Sequence, residues 1–224
     1  MTSRTRTERR ADALSKERIV EAAIEILDQE GEGALTFRAL AAHLSTGSGA
    51  IYWHVADKHD LLAAAADQVI EAAMTDVSGN AEGGAAASIR RVALRLFDAF
   101  SAHPWVGAQL FREPWQNAVL RILERVGGQL DALGVPEHAQ FNAASALMHY
   151  IFGLAGQYAA GARLHPRDTA QPEIVATVAE RWAQLEPAQY PFVRKVAAQL
   201  AAHDEREQFL AGIDLILAGI GAAR

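Results

Sequence analysis

LTFRALAAHLSTGSGAIYWHVADKHDLL, residues 35–62, reads as a short helix, a tight turn and a second short helix closed by Tyr52, Trp53 and His54, with a further helix opened at Asp57. Thr36 stands where an N-cap is needed, its hydroxyl able to accept one of the orphan backbone N–H groups of the first turn. Leu40 and Leu44 recur at helical spacing and are expected to face Ile51 across the turn. Ser45, Thr46 and Gly47 supply the small residues that a sharp reversal requires. Two short helices crossing steeply form a helix-turn-helix, whose second helix can lie in the major groove of a duplex. The expectation is a DNA-binding unit.

The helical reading continues on both sides. Upstream, Ile19, Ala22, Ala23, Ile26 and Leu27 share one face of a helix expected over about residues 15–30, ended by Gly31-Glu32-Gly33. Downstream, a long helix is expected from Asp57 to about Val77, then a break at SGNAEGG, residues 78–84. Pro104 opens a short element, and Pro114, Pro136 and Pro172 open helices expected over about 114–133, 136–163 and 172–185. Pro187 and Pro191 mark a loop leading into a short helix, and a last helix over about 205–222 carries Phe209, Ile213, Ile216, Leu217 and Ile220 as its apolar stripe. Strand-like alternation is absent, so the fold class is all-α. The expected division is a flexible basic arm at residues 1–14, an N-terminal three-helix helix-turn-helix domain at 15–60 and a larger C-terminal helical domain at 61–224.

With 224 residues, half of them hydrophobic, the chain can bury a sizeable core. It has no cysteine, which removes disulfides and thiolate metal sites and fits a reducing cytoplasm. The start MTSRTRTERRADALSKER has no apolar h-region, and no apolar run approaches the roughly 20 residues of a membrane span, so a cytoplasmic protein with no membrane partner is expected. The net charge of −6 runs against the basic balance common in DNA binders. Residues 1–60 carry eight Lys/Arg against ten Asp/Glu, but residues 1–20 carry six against three, so the positive charge is local. A basic arm ahead of a nearly neutral helix-turn-helix can still meet phosphates.

The run from Ile19 to about Met74 resembles the DNA-binding domain of tetracycline-repressor-like (TetR-family) transcriptional regulators: an amphipathic helix IVEAAIEILDQEG, then LTFRALAAHL, then AIYWHV, then a charged D-K-x-x-LL helix start. FLAGIDLILAGI near the C-terminus is similar to the last helix of that family. The resemblance implies a homodimer paired through two C-terminal helices from each subunit, here around Phe141–Tyr158 and Phe209–Ile220. It also implies a small-molecule effector pocket in the C-terminal helical ligand-binding and dimerisation domain. The expected function is a homodimeric repressor, released from a palindromic double-stranded DNA operator by a small hydrophobic ligand.

The DNA-facing residues expected are Thr36, Arg38, Gly47, Ser48, Gly49, Ala50, Tyr52, His54 and Lys58. Gly47, Ser48, Gly49 and Ala50 lead the second helix, where base edges are met; Ser48 can bond a base and Ala50 can pack on a thymine methyl. None can make the bidentate contact that discriminates strongly, which leaves Arg38 for guanine. Tyr52, His54 and Lys58 match phosphate-contacting positions of the family, and all three are donors. Trp53 is expected to be a core residue wedged between helices. Where relatives commonly carry Gly-Val in the turn, this chain has Ser45-Thr46.

For the effector, the large and polar residues of the C-terminal part give Phe100, His103, Trp105, Phe111, Trp115, His149, Phe152 and Gln157 as expected ligand-binding residues. The plain alternative is that aromatic residues at helical spacing are core, and that His149 is a satisfied core histidine. Gly153, Gly156 and Gly161 fit close helix approach, between subunits or within one. A tetracycline–magnesium mode needs a placed histidine and carboxylate that the sequence does not locate, so neither metal nor cofactor is expected. No H-E-x-x-H helix, phosphate loop or G-x-S-x-G elbow is present, and Gly31-x-Gly33 and Gly47-x-Gly49 lack a third glycine, so no enzyme is expected. The alternative function is a ligand sensor or carrier of the same fold that has lost sequence-specific DNA binding, prompted by the small residues at 47–50 and the acidic balance.

Overall fold

The computed structural model describes residues 14–75, 83–112, 117–164 and 171–222. Residues 1–13 of the expected basic arm, the end of the fourth helix, most of the glycine-rich break and Trp115 lie outside the described residues. The described residues form helices and no strand.

The first helix, α1 (Lys16–Glu30), begins because Ser15 caps it, its hydroxyl accepting the Arg18 N–H at 3.3 Å. It ends at Gly31, whose φ of 82° reverses the chain at no Cβ cost and returns its N–H to the Leu27 carbonyl. Ile19, Val20, Ala22, Ala23, Ile26 and Leu27 are all buried, so the face read from the sequence is the core face. Next come α2 (Phe37–His43) and α3 (Ser48–Ile51), then α4 (Lys58–Thr75). Asp57 opens α4 by accepting the Asp60 N–H at 2.9 Å, while the Asp60 carboxylate accepts the Ala56 N–H at 3.3 Å, a reciprocal cap.

Beyond lie α5 (Gly84–Ala102), α6 (Trp105–Leu110), α7 (Asn117–Ala132), α8 (Glu137–Leu164), α9 (Gln171–Ala183), α10 (Pro191–Ala202) and α11 (Glu205–Ala222). The last helix has the bounds its apolar stripe predicted. The segment after Pro191, expected to hold a short helix, is a full 12 residues of helix with proline at its start. It forms a hairpin with α9, and Arg194 fastens the pair by donating to the Ala183 and Leu185 carbonyls.

Helix α8 is the body's central element, packed against α5, α6, α7 and α11. Two of these contacts depend on glycine. A Cβ at Gly107 would fall into the Ala155 carbonyl, so α6 meets α8 backbone to backbone. A Cβ at Gly212 would strike the Tyr150 hydroxyl, which instead donates to the Phe209 carbonyl at 3.2 Å. The Tyr158 hydroxyl donates to Glu205 at 3.0 Å, fixing the start of α11. Burial, with the Glu205 charge beside it, pushes that phenol well above its ordinary range.

One continuous core runs from Ile19 to Ile213. Helix α4 packs on α1 and also on α5, α6 and α7, so the domain boundary expected at residue 60 falls inside a helix shared by both parts.

Candidate nucleic-acid interface

Local chemistry places the helix-turn-helix. The Thr36 hydroxyl accepts the Ala39 N–H at 3.1 Å and starts α2 as expected. The chain then reverses at Ser45, whose φ of 51° makes it the one non-glycine residue with positive φ among the described residues. Ser45 and Thr46 donate their N–H groups back to the Ala42 and Ala41 carbonyls at 3.1 and 2.9 Å, which satisfies the end of α2 through the turn. Leu40, Ile51 and Val55 are buried in the core, with Leu44 half-buried, and α2 packs on α1 and on α3. Helix α3 is only four residues long; the Ile51 carbonyl then accepts from His54 and Val55 at 2.9 and 3.1 Å to close the following turn.

Outside that anchor, Thr36, Arg38, Gly47, Ser48 and Gly49 are exposed, and Ala50 and His54 are half-exposed. Arg38 pairs with no carboxylate among the described residues. The Tyr52 ring rests on Phe37, centroids 4.5 Å apart, which fixes its direction while leaving it 56% exposed. A backbone N–H and the Ser15 hydroxyl hold the Glu17 carboxyl below its ordinary range, with nearby His54 adding to the effect. Lys58 donates to the Glu32 carbonyl at 2.7 Å, which uses one of its three ammonium protons and aims the others.

The core role expected for Trp53 is overturned. Trp53 is 89% exposed, because Ile51 and Val55 already occupy the inward positions of this turn and leave Trp53 on the outside. Sequence reasoning missed this exposure; its place between Tyr52 and His54, both expected to face DNA, was the available signal.

Among the described residues, the structure brings the expected ligand residues together in two pairs, His103 with Trp105 and Phe111 with Phe152. Phe100 has no exposed surface. His103 and Trp105 belong instead to the joint between α1 and the body: the Asp28 carboxylate lies 2.8 and 2.9 Å from His103 Nδ1 and accepts from Trp105 Nε1 at 2.7 Å. A second tie lies beside it, where the Arg112 guanidinium donates to both Glu32 oxygens at 2.8 and 2.9 Å and to the Gln109 side chain at 3.3 Å. Phe111 is exposed and packs edge-on to Phe152 over Gly156. His149 and Gln157 are exposed on α8, so the core reading of His149 is also overturned; Leu147, Met148 and Ile151 take the inward side of that turn. Gly153 and Gly161 have open space where a Cβ would stand. No group of three or more His, Asp or Glu side chains able to hold a metal occurs among the described residues.

An exposed helix-turn-helix joined through one shared helix to an all-helical body defines a helix-turn-helix transcriptional regulator. Residues 19–65 match the bacterial regulatory proteins of the tetR family, residues 79–224 match the tetracyclin repressor-like C-terminal domain, and the chain belongs to the TetR family. A solved TetR transcriptional regulator of Streptomyces coelicolor is 51% identical, with a TM-score of 0.81, over 94% of this chain and 99% of that one. An HTH-type transcriptional regulator of Saccharopolyspora erythraea is 32% identical over 151 residues, 62% of this chain and 59% of the relative, so the match spans about three-fifths of that protein. The class D tetracycline repressor of Escherichia coli is 27% identical over 92% of this chain and 88% of its own.

Proposed function

We propose that the protein is a homodimeric repressor that occupies a palindromic operator and leaves it when a small molecule binds. One observation carries this reading: the head presents an exposed or half-exposed set of donors and aromatic rings (Arg38, Ser48, Tyr52, Trp53, His54) around a recognition helix that is otherwise bare. Arg38 reads a guanine edge, Ser48 and Ala50 complete the base contacts, and Thr36, Tyr52, His54 and Lys58 hold phosphates. Trp53 joins them against the sugar-phosphate edge, where an indole offers one N–H and a flat apolar face.

Dimerisation follows from surface that the single chain leaves uncovered. Leu215 on α11 is 76% exposed, Phe141 on α8 is 74% exposed, and Ile216, Leu217 and Ile220 are only partly buried. Apolar surface that the chain leaves uncovered calls for a partner. A second copy supplies it and sets two heads roughly 34–36 Å apart, or a multiple of that, on one duplex. The work is done in the cytoplasm, where the operator is; among the described residues no helix is long and apolar enough to cross a membrane.

The test is selection of tight binders from a random double-stranded DNA pool at physiological salt, with Leu215→Glu run in parallel. A palindromic consensus for the parent, lost together with dimer mass in the variant, is the expected result. No enrichment for the parent protein would replace this reading with a ligand sensor of the same fold.

A further inference from the structure

The head meets the body through contacts of two kinds. Helix α4 packs on both through an apolar face that includes Leu61, Leu62, Val69 and Ile70. Apolar contact is non-directional, and helices packed in this way slide and turn on one another. Hydrogen bonds are different, because they fix direction as well as distance. Two carboxylates make such bonds from the head to the body: Asp28, in the last turn of α1, and Glu32, in the turn just past it.

The two carboxylates take their partners at opposite ends of α6. At its start, Asp28 lies 2.8 Å from His103 Nδ1 and accepts the Trp105 N–H at 2.7 Å. At its end, both Glu32 oxygens accept from Arg112, and Gln109 Nε2 lies 3.5 Å from one of them. Gln109 is 1% exposed, so its amide is a buried polar group whose partners lie within this tie. The Asp28 and His103 side chains are 28% and 27% exposed, and those of Glu32 and Arg112 are 30% and 38% exposed. Water competes less for such pairs than for open surface ones. One attachment leaves a joint free to turn about it. Two, at the ends of a six-residue helix about 9 Å long, fix its angle.

The other side of α6 is held as firmly. Gly107 brings it onto the Ala155 backbone of α8, one of the two helices through which the proposed dimer pairs. A line of close or directional contacts thus runs from the dimer face through α8 and α6 to the end of α1. Lys58 closes the line by donating to the Glu32 backbone carbonyl.

We propose that Asp28 and Glu32 are positioning residues that hold the head at one angle to the body and thereby set the half-site spacing the dimer accepts. They act through α1 and make no contact with DNA themselves. Selectivity for spacing is separate from selectivity for bases. One added base pair moves a half-site by about 3.4 Å and turns it by about 35°, and a head held at two points does not follow. The assignment rests on the reading of the chain as a dimer on a palindromic operator.

The test uses the full chain and end-labelled duplexes, read by fluorescence anisotropy. One set carries the palindrome that the parent selects, with its centre unchanged or altered by one base pair in either direction; a further duplex carries a single half-site. Asp28→Asn and Glu32→Gln are combined, since both remove charge and keep shape, and the Glu32 carbonyl that holds Lys58 is untouched. The parent is expected to prefer the selected spacing sharply. The double variant is expected to lose about tenfold of that preference, the worth of one charge-assisted hydrogen bond, with its affinity for the single half-site unchanged. Arg112→Gln cuts the second tie from the body side and is expected to flatten the preference in the same sense, so the result does not hang on one variant folding. Circular dichroism checks each fold. The parent's spacing preference retained in the folded variants overturns the proposal. So does an equal loss on every duplex, the single half-site included, which would mark a loss of folded protein or of DNA contact. A parent that selects no palindrome removes the dimeric-regulator reading, and the proposal with it, before any variant is compared.

Discussion

Glycine has opposite roles in the head and in the body. Gly47 and Gly49 flank the start of the recognition helix with nothing within 4 Å of where their Cβ atoms would be. Gly107 and Gly212 sit where any Cβ would collide with a neighbouring helix. In the body, the missing side chain lets two helices touch, and packing supplies the return. In the head it supplies none: Gly47 caps the recognition helix and Gly49, inside it, weakens it, both on an open surface. Under the proposed function, smallness there lets a major groove admit the backbone closely.

The sharpest test of the contrast is Gly107→Ala. The obstacle is the Ala155 backbone, which cannot rotate away, so a loss of about 3 kcal/mol in urea unfolding is expected. A midpoint within error of the parent would erase the distinction between the two regions. On the head side, Arg38→Ala should cost about 2 kcal/mol of operator affinity and relax the preference at one base pair, read by repeating the DNA selection; an unchanged consensus removes Arg38 from base readout. Trp53→Ala is expected to leave stability within about 0.5 kcal/mol, as befits a surface residue, yet weaken DNA binding several-fold. A large loss of stability would restore the packing role that its exposure denies. The smallest effect is assigned to Gly49→Ala, which should raise the thermal midpoint through a propensity gain of up to about 1 kcal/mol, with the new methyl group meeting no protein atom. Destabilisation by that methyl would mean that the open space beside α3 is occupied.

The sequence was most legible where local rules decide. Ser15 and Thr36 cap the helices they precede, Asp57 opens α4, and the apolar stripe of α11 gave its full extent. Leu40 and Ile51 were placed in the core by spacing alone. Legibility failed where the question was which side of a helix faces out. Trp53 and His149 are residues that burial statistics push inward, but in each turn their neighbours had already filled the inward positions. It failed again for His103 and Trp105, since their partner Asp28 lies more than 70 residues earlier and no periodicity links them.

The joint at Asp28 has a spectroscopic consequence. Trp105 donates its indole N–H to a carboxylate inside the contact between α1 and the body, while Trp53 stands in water at the other end of the head. Two of the protein's four tryptophans thus stand in contrasting surroundings, Trp105 expected to emit toward the blue and Trp53 toward the red. A variant that keeps only Trp105 would register any parting of head and body, and one that keeps only Trp53 would register the arrival of DNA. Followed in parallel on the two variants, the two signals time which event comes first.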